Sequence, residues 1–195
     1  MFDADRLGAT STVSNSEPTA PCFSLDSEVR LSSGRTLPMS GLRKGDMVAT
    51  VNAERAVAFT EFRGWLDMNR TAAGSFLELT TENSSSVVLT AHHFLMSTPG
   101  LDEDPQMKRA DEVAEGDFLL TSTGLEKVAS IGRVTRQGYG SPLTMTGDLL
   151  VNGVLSSNYA HAPSHSLAHY FVTPFRWFDL LSDEETNDEV DIISK

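Results

Sequence analysis

The chain has one cysteine, Cys22, among its 195 residues. A lone thiol excludes an internal disulfide and a cysteine-built zinc cluster, so any sulfur chemistry rests on that single side chain. Positive charge is scarce too: 15 Lys and Arg stand against 27 Asp and Glu, a net charge of −12. Phosphate backbones need a basic counter-surface, and this balance argues against nucleic acid as a partner. Much of the acidity sits in residues 183–191 (DEETNDEVD), a solvated disordered tail by composition. Apolar runs are only a few residues long, too short to span a bilayer. The N-terminal MFDADRLGATSTVSNSEP lacks the basic start and apolar stretch of a secretory signal. The sequence therefore belongs to a cytosolic protein or to a piece of a longer precursor.

What is present is punctuation. Residues 1–21, rich in Ser, Thr, Asn, Pro and Ala without an apolar period, read as a flexible leader. From Cys22 onward, alternating or β-branched stretches predict strands near 27–31, 46–51, 56–65, 76–81, 86–89, 118–122, 127–134 and 149–155. Ser-Gly, Gly-Asp and Thr-Gly pairs separate them, and the pattern predicts an all-β, sandwich-like or barrel-like body. The segment 37–50 (LPMSGLRKGDMVAT) matches 108–121 (KRADEVAEGDFLLT) at an offset of 71 residues. Gly45-Asp46 falls on Gly116-Asp117, Leu42 on Val113 and Thr50 on Thr121. Each copy reads as a helical-looking turn, a Gly-Asp turn and an apolar strand, which predicts two β subdomains about a pseudo-two-fold axis. After about Ala160 the texture changes. Residues 164–181 (SHSLAHYFVTPFRWFDLL) place Leu167, Tyr170, Phe171, Phe175, Phe178 and Leu181 at near-helical spacing, with Pro174 as a kink.

Most lone cysteines are buried and inert. Cys22 differs by position, because it stands where the leader meets the β body. A thiol there can attack the carbonyl of Pro21 and convert the Pro21–Cys22 amide into a thioester, provided the leaving nitrogen is protonated and the oxyanion stabilised. The run Thr90-Ala91-His92-His93, at the end of an apolar strand, supplies the candidate histidine. His93 and His92 are equally available on sequence alone. Asp67, in Trp65-Leu66-Asp67-Met68-Asn69, is unremarkable by itself and reads as part of a turn. His161, His165 and His169 recur at spacing four, but no carboxylate or cysteine accompanies them, and they read as helix-surface histidines rather than metal ligands.

Taken together, Cys22-Phe23-Ser24, LPMSGLRKGDMV, Thr90-x-x-His93 and the run GSPLTMTGDLLVNGVLSSNYA resemble the Hint domain of hedgehog C-terminal regions, which is related to inteins. Ser166-Leu167-Ala168-His169 with its apolar continuation resembles the segment found C-terminal to that domain, so the likeness runs from Cys22 to about Leu181. The resemblance implies a Hint fold over residues 22–160, a short helical sterol-recognition-like appendage over 161–182 and an acidic tail over 183–195. It implies self-cleavage before Cys22 by an N-to-S acyl shift, with Thr90 and His93 assisting. Asp67 would then be the general base for a cholesterol-like hydroxyl that takes the upstream acyl group. No cofactor is required; the sterol is the acyl acceptor, and the attached upstream polypeptide is the partner. A monomer is expected, with membrane association through the appendage, and a secretory route if the chain belongs to a longer precursor.

Two positions depart from the family pattern. Pro21 stands where hedgehogs usually have glycine, and Ser157-Asn158-Tyr159 replaces a Ser-Cys-Tyr. Asn158 is thus a secondary candidate that can hydrogen-bond in the site. The alternatives are thioester hydrolysis, transfer to another small nucleophile, and an unreactive Hint-derived binding module.

Overall fold

The computed structural model describes residues 22–158. Twelve strands succeed one another: β1 (Phe23–Ser24), β2 (Glu28–Arg30), β3 (Thr36–Pro38), β4 (Met47–Val51), β5 (Val57–Thr81), β6 (Ser86–Leu89), β7 (Phe94–Thr98), β8 (Gln106–Arg109), β9 (Phe118–Thr121), β10 (Gly124–Thr144), β11 (Asp148–Val151) and β12 (Val154–Ser157). Two 3-10 turns, Met39–Gly41 and Ala110–Glu112, are the helical pieces among the described residues. The all-β expectation is met.

The duplication is also met, and it extends further than the sequence match. The two 3-10 turns fall at equivalent places in the two copies, each leading into a Gly-Asp turn. Gly45 and Gly116 adopt φ of 90° and 97°, a region where only glycine sits without strain. The Asp46 carboxylate accepts from the Arg43 N–H at 2.8 Å, and Asp117 accepts from the Ala114 N–H at 3.1 Å. The Gly45 N–H donates to the Phe62 carbonyl and the Gly116 N–H to the Val128 carbonyl, both at 2.9 Å. Upstream, the Met39 N–H reaches the Ser27 carbonyl, and the equivalent Ala110 N–H reaches that of His93. Hence the β2–β3 hairpin corresponds to β7–β8, and His93 occupies in the second copy the place of Ser27 in the first.

Two long strands tie the copies together. β5 and β10 pair antiparallel from Val128↔Thr81 to Thr144↔Phe62, with four register shifts that bend the ribbon. β4 flanks one end of β5, β9 one end of β10, and β1 and β6 close the middle. The main core gathers Phe23, Val29, Met39, Leu42, Val48, Phe62, Leu79, Leu89, Leu95, Leu119, Leu149 and Val151 from both copies. A smaller cluster holds Ala49, Leu120, Leu150 and Leu155.

The structure differs from the sequence reading in detail: β1 and β3 are not among the expected strands, and the one expected at 127–134 is part of the longer β10. The strands expected at 56–65 and 76–81 are one strand, β5. The intervening LDMNRTAA is half polar, exposed or half-buried throughout and without alternation, so its apolar pattern lapses while the ladder to β10 continues through Met68↔Gly140 and Ala73↔Gln137. The strand expected at 149–155 is a hairpin, β11–β12, turning at Asn152-Gly153 with positive φ at both residues. The residue pattern does not predict β7, which begins directly at the Thr90–His93 turn that masks its start. Nor does it predict β8, because Gln-Met-Lys-Arg has no alternation to read. The leader, the appendage and the acidic tail lie outside the described residues.

Candidate active site

The site forms where β1, β6 and the start of β7 converge. Cys22 immediately precedes β1. Its N–H donates to Thr90 Oγ1 at 3.0 Å, and the Thr90 N–H returns a bond to the Cys22 carbonyl at 2.9 Å. Thr90 comes directly after β6, whose Leu89 is in register with Phe23. The chain then turns: the His93 N–H donates to the Thr90 carbonyl at 3.0 Å and fixes the imidazole beneath Cys22. The same short turn thus presents the Thr90 hydroxyl to the Cys22 N–H and sets the His93 ring against Phe23, near the Cys22 backbone.

His93 is fully buried, with its ring tilted against Phe23 at 4.1 Å between centroids. Its Nε2 lies 2.7 Å from the Ser157 carbonyl on β12. A carbonyl only accepts, so Nε2 carries the hydrogen, and in the neutral ring Nδ1 holds a free lone pair. That Nδ1 has no hydrogen-bond partner among the described residues. Burial pushes the imidazole down to about 4, against smaller opposing pulls from the Ser157 and Cys22 backbone. At neutral pH the ring is an uncharged base, with Nε2 held by Ser157 and its other side near the Cys22 backbone.

The Cys22 thiol is buried and pushed up to about 12, first by burial and then by the negative charge of Asp67. It is therefore an S–H group at neutral pH, and it needs a local base to become a nucleophile. Asp67 stands exposed on β5. The ladder explains its reach: Phe23 pairs with Gly140, Gly140 with Met68, and Ser141 with Asp67. One step along this antiparallel register sets Cys22, Ser141 and Asp67 in one cross-strand row.

Cys22, Thr90, His93 and Asp67 are thus brought together. His92 is not. It is exposed on the other side of the turn, against the Arg109 guanidinium and 3.3 Å from the Asp111 carboxylate, so it belongs to a surface ion cluster. Asn158 is buried beside Ser157, and its side-chain amide donates to Thr144 Oγ1 at 3.0 Å. It stays one residue away from the carbonyl that holds His93. Pro21 and the histidines at 161, 165 and 169 lie outside the described residues. Among the described residues no three His, Cys, Asp or Glu side chains converge on a point that would hold a metal ion. Sequence reasoning missed the Ser157 carbonyl, a backbone group without any side-chain signal. It also missed Tyr139, whose surroundings become visible only once β1, β10 and β5 are in register.

A duplicated β body with its thiol at the start of one copy and its Thr-x-x-His turn in the other defines a fold of the intein class. A DnaB intein from Synechocystis superposes with a TM-score of 0.57 at 16% identity, covering 73% of this chain and 100% of that one. A bacterial intein-like domain from Clostridium thermocellum gives 0.54 at 19% identity, covering 70% and 97%. Such identities speak for the fold alone. The family is given by sequence: the Hint module model matches residues 9–192, and the chain belongs to the Hint family. Protein hedgehog of Drosophila persimilis is 30% identical over 166 residues, covering 82% of this chain and 34% of that protein. The Drosophila melanogaster protein is 29% identical over 166 residues, covering 82% and 35%. The chain spans about a third of the length of these curated relatives.

Proposed function

We propose that this domain cleaves itself from the polypeptide upstream, between Pro21 and Cys22, through a thioester on Cys22. The observation that carries this reading is the hydrogen bond from the Cys22 N–H to Thr90 Oγ1 at 3.0 Å, with the buried His93 ring against Phe23 and the Cys22 backbone. The nitrogen so held is the leaving nitrogen of that peptide bond.

The Cys22 S–H proton passes to His93 Nδ1 as sulfur attacks the Pro21 carbonyl carbon and forms a C–S bond. The carbonyl π pair moves onto oxygen. Thr90 Oγ1 keeps the Cys22 nitrogen pyramidal as that tetrahedral centre collapses, and the imidazolium gives its proton to the departing nitrogen. The C–N bond breaks, leaving a thioester and a free α-amine on Cys22. The low basicity of His93 suits the second half of this exchange, because a weakly basic imidazole releases its proton readily, and it makes the first half, from a thiol pushed up to about 12, the uphill part. Family membership and the hedgehog relatives support autoprocessing of this kind.

The thioester is resolved by a hydroxyl nucleophile, a cholesterol-like sterol, with Asp67 taking the hydroxyl proton as oxygen attacks. The resemblance to hedgehog C-terminal regions and the exposed Asp67 in the thiol's row support this choice; hydrolysis is the competing outcome. The test is an incubation of the full chain with and without cholesterol in detergent micelles, with the N-terminal fragment then weighed. A mass excess equal to a sterol ester is expected. A free acid in both arms contradicts the sterol and leaves cleavage intact; a chain that stays whole in both arms favours an unreactive binding module.

A further inference from the structure

The row next to Cys22, Ser141 and Asp67 holds a second set of side chains. Ser24 pairs with Tyr139 and Tyr139 with Asn69, across the same three strands β1, β10 and β5. Side chains two residues apart on a strand share a face, so Cys22 and Ser24, Ser141 and Tyr139, and Asp67 and Asn69 all project to one side of the sheet. Phe23, Gly140 and Met68 project to the other. The residues around Tyr139 are arranged to place it. Gly138 takes φ of 81° just before it, and the Leu25 N–H pins the Gly138 carbonyl at 3.3 Å. A register shift falls between Gln137 and Tyr139, a bulge that re-aims the side chain.

The geometry points to Tyr139 as a positioning residue for the acyl acceptor, its phenol O–H directed toward the space between Asp67 and Cys22. This inference rests on the proposed function. Asn69 spends its side-chain oxygen on the adjoining turn, accepting from the Thr71 and Ala72 N–H groups at 3.0 and 2.9 Å. Its amide hydrogens are left to face the Tyr139 oxygen, its register partner, and they pull the phenol down slightly. With those donors facing that oxygen, the phenol hydrogen is free to donate. Burial first, then the charge of Asp67, push the phenol above its ordinary value, so it remains a donor through the working pH range. An incoming hydroxyl has two lone pairs and one hydrogen. It gives the hydrogen to the Asp67 carboxylate and accepts from Tyr139, and these two bonds fix the attacking lone pair against the thioester carbon.

Dithiothreitol and a sterol separate this role from a structural one. A thiolate attacks a thioester without needing its lone pairs oriented, whereas a hydroxyl acceptor needs both contacts. The full chain and its Tyr139→Phe variant are incubated with dithiothreitol alone and with cholesterol in detergent micelles, and the fragments are weighed over time. The variant is expected to match the wild type within about twofold under dithiothreitol. Its release to hydroxyl nucleophiles, scored as sterol ester plus free acid, is expected to fall at least about tenfold. Equal rates in both arms overturn the inference, as does a parallel loss in both, which would mark Tyr139 as structural. If wild type itself stays whole under dithiothreitol, the proposed function has failed and the role of Tyr139 falls with it.

Discussion

At the scale of single residues, His93 and Cys22 are tuned in opposite directions by the same burial. The imidazole is pushed down to about 4 and the thiol up to about 12, so both are neutral at physiological pH. For His93 this has a consequence for stability. Its folded value lies below that of the unfolded chain, about 6.5, so the unfolded state takes up the proton first as pH falls. The stabilisation is complete above about 6.5 and is lost progressively as pH falls toward 4. The two values correspond to roughly 3 kcal/mol. In a Cys22→Ala background, urea midpoints measured between about pH 7.5 and 4.5 should fall with pH, and His93→Gln should flatten that part of the slope. A variant with an undiminished slope would remove His93 as its source.

Asp67 makes a second residue-scale expectation, because its charge opposes the first step and serves the second. Asp67→Asn removes the negative charge that helps hold the thiol up, so the Cys22 value should move down, as read by NMR titration of its Cβ. Cleavage by dithiothreitol should be unchanged or faster. Sterol ester formation should fall by at least about a hundredfold for loss of a general base. A variant that still forms ester at the wild-type rate would assign the base elsewhere.

These residues are unequally legible in the sequence. Cys22, Thr90 and His93 sit in local patterns, a strand start and a strand-ending turn, and local patterns survive in one dimension. The choice between His92 and His93 is not legible in the residues alone, because it depends on which side of a four-residue turn faces inward; only the family resemblance selects His93. Asp67 gains its place from resemblance, and Tyr139 has no signal at all, since their common row exists only through pairing between β1, β10 and β5.

At the scale of elements, the contact between β5 and β10 sets the site's dimensions. Gly140 lies under Trp65 at the point where β1, β10 and β5 cross. A Cβ there would stand 2.5 Å from Trp65 Cζ3 and 3.0 Å from Leu25 Cδ2. An aromatic ring held between strands cannot give that much way. Gly140→Ala should therefore cost about 1–3 kcal/mol in a denaturant titration. It should also slow thioester formation, because its register partner Phe23 adjoins Cys22. A variant as stable as wild type would mean that Trp65 swings clear. The elements themselves are readable where polar and apolar residues alternate. They are unreadable where the ladder outlasts the alternation, as in the middle of β5, or where a strand carries no apolar pattern, as in β8.

At the scale of the whole molecule, duplication explains how one chain assembles a site from two copies of the same unit. The first copy contributes the thiol at its entrance, and the second contributes Thr90 and His93. His93 stands in the second copy where Ser27 stands in the first, so the two units are alike in backbone and divided in chemistry. β5 and β10 cross between the copies and carry Asp67, Asn69, Tyr139 and Ser141 to the joint. The repeat is visible as Gly-Asp turns 71 residues apart. Its extension through the β2–β3 and β7–β8 hairpins is not, because those segments share hydrogen bonds rather than residues.

On this account everything turns on the sulfur of Cys22 taking over the acyl group of the residue before it. The most direct measurement is an intact-mass spectrum of the full chain and its Cys22→Ala variant after incubation with dithiothreitol. Two fragments that divide between Pro21 and Cys22, formed by wild type alone, are the expected result. Cleavage of the variant at the same bond, or a wild-type chain that remains whole, would contradict it.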